Sequence, residues 1–274
     1  MTQHAGVIGW PIEHSRSPLI HNHWITEHGL DATYGAISVP PDDLAGFMET
    51  LRGGMLVGCN VTVPHKEAAL ALADEPDEAA RRVGGANTLW AVEGRIHATT
   101  TDGAGFMAGL EEVAPVHGIE HALVLGAGGA ARAVVETLTA RGTRVSIANR
   151  TEARAEALAG QFDAGAIGWD ELAPLARDAD LLVNTTSLGM AGQPALELPK
   201  GTLEVLPEHA LVADIVYAPL ETPLLTAARA RGLTGVDGLG MLLHQAALSF
   251  EAWFGVRPVV TPELRALIEA DLAD

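Results

Sequence analysis

Short apolar runs and amphipathic stretches alternate along almost the whole chain. Runs rich in β-branched residues at Ala5 to Trp10, Thr33 to Val39 and Gly58 to Val63 predict strands. Pro18 to His28, Asp42 to Leu51 and His65 to Ala73 carry helical spacing between and after them. Asn87 to Val92 and Arg95 to Thr101 flank Glu93-Gly94 and predict a hairpin. Asp102 to Glu112 reads as a linking helix. Strands then recur at Ala122 to Leu125, Arg144 to Ala148, Ala166 to Trp169, Leu181 to Thr185, Leu211 to Val216 and Leu233 to Val236. Helical stretches separate most of them, which is the rhythm of a parallel, doubly wound sheet. Leu239 to Phe254 predicts a long amphipathic helix, and Thr261-Pro262 supplies a cap and an N1 proline to a final one. The pattern is α/β throughout, with no repeat or low-complexity tract marking a join.

The turn after Leu125 reads Gly126-Ala127-Gly128-Gly129-Ala130-Ala131 and runs into a helix. The first glycine permits a tight turn, the second lets backbone N–H groups approach a pyrophosphate, and the small Ala131 allows close helix–strand packing. This is a dinucleotide-binding signature, so the second half of the chain reads as a Rossmann-type domain. One strand later stands Ala148-Asn149-Arg150-Thr151, roughly 20 residues on, where an NAD-binding chain carries an acid for the ribose. Here the residue is an arginine. A carboxylate would repel the 2′-phosphate of NADP, whereas a guanidinium binds it through two parallel hydrogen bonds, so the expected cofactor is NADP. Arg154 lies one helical turn after Arg150 and would close on the same phosphate, and Arg132 falls near the pyrophosphate. A solvated basic helix start is the bland alternative.

Charge narrows the partners. The chain has 274 residues and a formal charge of -18, which argues against general binding to nucleic acid or an acidic membrane. An anionic cofactor must then be gripped by local arginines. Cys59 is the only cysteine, so no internal disulfide forms and a reducing cytoplasm is the expected setting. The start is polar before Gly6-Val7-Ile8-Gly9, without a basic flank and long apolar segment, and no later run approaches membrane-spanning length.

Lys66 and Lys200 are the only lysines among 17 basic residues. Arginine keeps its proton in proteins, whereas a lysine can act as an acid or base, which makes Lys66 a catalytic candidate. It falls in the first turn of a predicted helix, where the macrodipole disfavours a cation; a solvated helix lysine is the competing reading. Asp102 stands where the hairpin meets the linking helix, as an N-cap or as the carboxylate that orients Lys66 and a substrate hydroxyl. Ser15 and Ser17 follow the first strand, at the end where open α/β sheets bind ligands, and two hydroxyls there suit a carboxylate. Ser17 before Pro18 equally fits an N-cap. His14, His21, His23, His65 and His244 lack metal-ligand spacing, so no metal site is expected.

Gly9-x-Pro11-Ile12-x-His14-Ser15-x-Ser17-Pro18-x-x-His21-Asn22 resembles the N-terminal signature of shikimate dehydrogenases. Asn60-Val61-Thr62-Val63-Pro64-x-Lys66, Gly85-Ala86-Asn87-Thr88 and Thr101-Asp102-Gly103-x-Gly105-Phe106 resemble the family's next segments. Asn149-Arg150-Thr151 resembles its NADP motif. Asn184-Thr185-Thr186-Ser187-x-Gly189-Met190, Asp214-x-Val216-Tyr217 and Asp237-Gly238-x-Gly240-Met241-Leu242-x-x-Gln245 follow in order.

The resemblance implies reduction of 3-dehydroshikimate to shikimate with NADPH, a step of aromatic amino acid and chorismate biosynthesis, with substrate held between two domains. By the same resemblance residues 1–101 and 239–274 form the substrate domain, the last helices returning to it, and residues 102–238 form the NADP domain. Ser15 and Ser17 would hold the substrate carboxylate. Thr62, Asn87 and Gln245 would hold its hydroxyls and neighbouring groups, and Tyr217 would add a hydroxyl from the cofactor side. Ile215 and Gly238 would approach the nicotinamide, while Gly126, Ala127, Gly128, Gly129, Ala130, Asn149, Arg150, Thr151 and Arg154 would hold the rest of the cofactor. Lys66 would protonate the carbonyl oxygen as hydride arrives, with Asp102 holding it in register. The family usually has Asn-Thr-Asp where this chain has Thr100-Thr101-Asp102, so altered hydrogen bonding around Asp102 is expected. An NAD-using quinate/shikimate dehydrogenase and a ligand sensor without turnover remain rivals. Arg150 counts against the first, and the Lys66 and Asp102 pair against the second. The expected partners are a small-molecule substrate and, as an open alternative, a second copy of the chain in a homodimer.

Overall fold

A computed structural model describes residues 2–273. The chain divides into two compact units, Met1–Asp102 with Leu243–Asp274, and Gly103–Leu242. The divisions fall one and four residues beyond the expected ones, because the helices at both joins run through them.

The first unit contains β1 (Gln3–Gly9), α1 (Ser17–Glu27), β2 (Ala32–Ser38), α2 (Leu44–Arg52), β3 (Gly58–Val61), α3 (Lys66–Leu72), β4 (Glu75–Pro76), α4 (Glu78–Val83), β5 (Thr88–Val92) and β6 (Arg95–Thr99). Its sheet has the order β2-β1-β3-β5-β6-β4. β2, β1 and β3 run parallel, and the β5–β6 hairpin adds antiparallel to β3. The hairpin turns at Glu93 and Gly94, both with positive φ, as its sequence predicts. Two elements escape the periodicity. β4 has only two residues, and α4 is fixed by its ends more than by an apolar stripe: Asp77 accepts from the Ala80 N–H, and Gly84 takes a left-handed φ.

Next come α5 (Asp102–Val113), β7 (His121–Leu125), α6 (Gly129–Ala140), β8 (Arg144–Ala148), α7 (Glu152–Phe162), β9 (Gly165–Ile167), α8 (Leu172–Leu175), β10 (Leu181–Asn184), α9 (Thr202–Val205), β11 (Leu211–Asp214), α10 (Pro223–Ala230) and β12 (Thr234–Val236). Every strand pair in the second sheet is parallel, in the order β12-β11-β10-β7-β8-β9. That is the doubly wound order, reversing direction between β7 and β10. Strand alternation builds its core in two layers: Ala122 and Val124 point into one apolar cluster, Leu123 and Leu125 into the other.

The last helices, α11 (Leu239–Phe254) and α12 (Pro262–Ala273), pack largely with the first unit. Trp253 donates its indole N–H to the Leu89 carbonyl, and Trp24 donates to that of Val259. Thr261 caps α12 through the Leu264 N–H. Among the described residues no helix is long and apolar enough to cross a membrane.

His21 lies in this packing, its ring stacked on Tyr34 at 4.1 Å and beside Trp24, Phe250 and Trp253. Neither ring nitrogen meets a partner in hydrogen-bond geometry. Burial lowers the imidazole from its ordinary 6.5 to about 3, with Asn60 nearby pulling weakly the other way. The folded chain therefore keeps His21 neutral while the unfolded chain takes up a proton below about pH 6.5, so stability falls as pH drops from there toward about 3. At about pH 5 the expected loss from this group is roughly 2 kcal/mol. Urea midpoints at about pH 5 and pH 8 should lie further apart for the parent than for His21→Phe; equal spacing would exclude this origin of acid sensitivity.

Candidate active site

Parallel pairing of β1 with β3 sets the loops after these strands side by side. The Trp10 N–H donates to the Val63 carbonyl and the Thr62 N–H to that of Ile8. A Cβ on Gly9 would lie 2.6 Å from the Thr62 methyl and 3.1 Å from the Val63 oxygen, so only glycine lets the two loops approach this closely. One loop carries Ser15 and leads to Ser17, and the other carries Thr62 and leads to Lys66. Ser17 is the first residue of α1, not its cap; Arg16 occupies the cap position, and the Ser15 hydroxyl accepts from the Ser17 N–H at 3.3 Å.

Lys66 and Asp102 are both the first residues of helices, and they meet. Lys66 Nζ lies 2.5 Å from Asp102 Oδ2. The other carboxylate oxygen accepts from Asn87 Nδ2 at 2.8 Å. That amide also donates to the Thr101 hydroxyl at 2.9 Å and to Gln245 Oε1 at 3.3 Å. The carboxylate is nearly buried, while the lysine side chain keeps a quarter of its surface exposed. An amine and a nearly buried carboxylate thus sit together, with two amides and a hydroxyl alongside. Neither oxygen of Asp102 depends on Thr100, so replacing the family's amide there leaves the carboxylate held.

Asn60, read only as part of a motif, and Tyr34 and Ser249, which no motif carried, extend this network inward. Tyr34 donates to Asn60 Oδ1 at 2.7 Å, and Asn60 Nδ2 donates to the Ser249 hydroxyl at 2.8 Å. The available signal was a polar residue inside the otherwise apolar β3, and a serine on the apolar face of α11. Two of the histidines have structural contacts: His65 bonds the Val39 carbonyl and His21 joins the aromatic cluster. No group of three metal-ligating side chains gathers among the described residues.

In the second unit the glycine turn adopts the form its letters require. Gly126 has φ 112°, and a Cβ there would stand 2.6 Å from the Thr185 hydroxyl. Gly128 caps α6 and Gly129 opens it; no atom lies within 4 Å of a Cβ built at either. The first turn of α6 holds no acid and no side-chain cap bond, so its N–H groups face an open space suited to a pyrophosphate. Ala127 and Ala130 flank that space. Past β8, Asn149 donates to the Thr151 carbonyl, while Arg150 and Arg154 stand exposed without an ion pair among the described residues. Arg132 bonds Gln161 at 2.6 Å. These residues fit NADP: an uncovered helix start for the pyrophosphate and two unspent guanidinium groups for a 2′-phosphate.

Beyond β11 and β12, Ile215 and Gly238 line a small open cleft with Phe106, Asp214, Asp237 and Met241. Asp214 accepts from Asn184, Thr222 and the Val216 N–H, and burial raises its carboxyl above the usual range against these bonds. Tyr217 follows in the same loop, half-buried.

Residues 7–89 match the shikimate dehydrogenase substrate binding domain, 111–196 match shikimate / quinate 5-dehydrogenase, and 238–261 match the shikimate 5′-dehydrogenase C-terminal domain. A Rhodopseudomonas palustris protein named shikimate dehydrogenase (NADP(+)) is 57% identical over 273 residues, 98% of this chain and 97% of that one. The chain belongs to the shikimate dehydrogenase family. Another shikimate dehydrogenase (NADP(+)), from Mesorhizobium japonicum, is 54% identical over 99% of this chain and 97% of its own. Among solved family folds, the shikimate 5-dehydrogenase of Thermus thermophilus in complex with NADP(H) and shikimate superposes with TM-score 0.88 at 39% identity, over 99% of this chain and 100% of that one. The quinate dehydrogenase of Corynebacterium glutamicum in complex with NAD gives 0.89 at 30% identity, over 97% and 99%.

Proposed function

We propose that this chain is an NADP-dependent shikimate dehydrogenase, reducing 3-dehydroshikimate to shikimate in the pathway to chorismate and the aromatic amino acids. The observation that carries the reading is the Lys66–Asp102 pair, whose second carboxylate oxygen is held by Asn87. NADPH, when bound, supplies the hydride. Lys66 gives a proton to the carbonyl oxygen as charge builds there and regains one from solvent, which its partial exposure allows. Asp102 anchors the ammonium and accepts a neighbouring substrate hydroxyl. Asn87, Thr62 and Gln245 place the ring hydroxyls, and Ser15 and Ser17 donate to the carboxylate. Tyr217 contributes a further hydroxyl.

For the cofactor, the turn at Gly126 to Ala130 takes the pyrophosphate, Asn149, Arg150, Thr151 and Arg154 take the adenosine phosphate, and Ile215 and Gly238 flank the nicotinamide. On this reading residues 1–102 and 243–274 serve the substrate and 103–242 the cofactor. The proposal includes a cytoplasmic setting, consistent with the lone buried Cys59, and a homodimer, which sedimentation equilibrium reads directly.

The test is product identity. Purified protein incubated with 3-dehydroshikimate and NADPH should yield shikimate by chromatography and mass spectrometry. Binding of 3-dehydroshikimate with no shikimate formed would make the chain a sensor and reject the enzyme.

A further inference from the structure

Asp102 is backed by a row of buried polar side chains that runs from Asn87 through Thr88, Ser249 and Asn60 to Tyr34 in the first unit. Asn87 turns its amide nitrogen to Asp102 Oδ1, so its oxygen faces inward. That oxygen accepts from the Thr88 hydroxyl at 2.8 Å and from the Thr101 N–H at 2.9 Å. Thr88 lies 2.7 Å from the Ser249 hydroxyl, and both residues are fully buried. Since Thr88 spends its single proton on Asn87, the proton in the contact with Ser249 belongs to Ser249, which has the Gln245 carbonyl as a second, more distant acceptor at 3.2 Å. Ser249 accepts in turn from Asn60 Nδ2, whose amide is fixed by Tyr34 donating to its oxygen. Burial raises the Tyr34 hydroxyl well above its ordinary range, so it remains a donor. Every bond in the row therefore points the same way, toward the carboxylate.

Direction matters because an amide has two unlike ends of one shape. Turned over, Asn87 would set its oxygen against the Asp102 carboxylate, repelling it and leaving a buried acceptor unpaired. We propose that Thr88 is a positioning residue: its hydroxyl, bonded by Ser249, keeps the Asn87 amide turned to Asp102 and so holds the Asp102–Lys66 pair in register for proton transfer. This rests on the reading of Lys66 and Asp102 as the catalytic pair. Thr88 touches no ligand on this account and acts through Asn87 alone.

The experiment compares three variants of the full chain by steady-state oxidation of shikimate with NADP+, alongside thermal unfolding. Thr88→Val keeps the volume and loses the hydroxyl, and should lower kcat about tenfold, the worth of one hydrogen bond acting on a charged group. Its KM for NADP+ should stay within about twofold of the parent. Thr88→Ser restores the hydroxyl and should bring kcat back to within about twofold. Tyr34→Phe frees the far end of the row and should lower kcat about threefold, which keeps the test decisive if Thr88→Val does not fold. Parent-like kcat in folded Thr88→Val, or in Tyr34→Phe where Thr88→Val is unfolded, overturns the proposal. Equal losses in Thr88→Val and Thr88→Ser overturn it too, since a variant that keeps the hydroxyl would then fare no better than one that lacks it, and packing at position 88 would be responsible. A Lys66→Met control separates the two claims. Inert Lys66→Met with parent-like Thr88→Val rejects only the positioning role, whereas active Lys66→Met rejects the catalytic pair itself.

Discussion

Replacing Lys66 with alanine should lower kcat by about 10²–10⁴, the usual worth of a positioned general acid, while KM for shikimate changes by less than about tenfold. The asymmetry follows from the geometry. Substrate recognition is spread over Ser15, Ser17, Thr62, Asn87 and Gln245, and none of these donates an ionisable proton at neutral pH. The one amine is Lys66, 2.5 Å from Asp102 and still partly open to solvent. Its removal takes away an interaction that strengthens only as negative charge grows on the carbonyl oxygen, so the loss falls on the chemical step. Asp102, left without its cation, still receives the Asn87 amide, and the site keeps its shape. Steady-state rates of the variant provide the check, and turnover within about threefold of the parent would remove Lys66 from the mechanism.

Arg150→Ala should raise KM for NADP+ about 100-fold while changing turnover with NAD+ by less than about threefold. Two hydrogen bonds to a charged phosphate, at roughly 1.5 kcal/mol each, supply a factor of that size. Because Arg150 is exposed and makes no ion pair among the described residues, losing it leaves no buried partner stranded. The effect should therefore appear in cofactor affinity and not in stability. Adding Arg154→Ala should deepen the loss by less than about tenfold, since both guanidinium groups would address one phosphate. Rising ionic strength should weaken NADP+ binding by the parent more than by the double variant. Equal losses for NADP+ and NAD+ would place Arg150 in general cofactor contact instead of 2′-phosphate recognition.

Features written in consecutive residues were the ones open to sequence reasoning. The glycine turn could be read because its requirement is local: Gly126 needs a positive φ and has no space for a Cβ, and both follow from the strand–turn–helix in which it sits. The parallel rhythm of the second unit came from the same source, since buried strands of a parallel sheet are continuous apolar runs. Asp102 was offered as a partner for Lys66 without any local signal that the two meet; their contact across 36 residues is a property of the sheet, which pairs β3 with β5 and β5 with β6. The inner row was illegible for a related reason. Thr88 and Ser249, 161 positions apart, look like an ordinary strand threonine and helix serine until α11 lies against the sheet. α4 was missed because its signal lies in Asp77 and Gly84 at its ends. Ser17 looked like a cap before Pro18, yet the helix starts on it, with the Ser15 hydroxyl taking up its N–H.

Initial rates at the NADPH absorbance band, measured with 3-dehydroshikimate and with 3-dehydroquinate, each against NADPH and NADH, test the central claim most directly. 3-Dehydroshikimate with NADPH should exceed each other combination by at least about tenfold in kcat/KM. A preference for NADH or for 3-dehydroquinate, or no consumption of nucleotide in any combination, would contradict it.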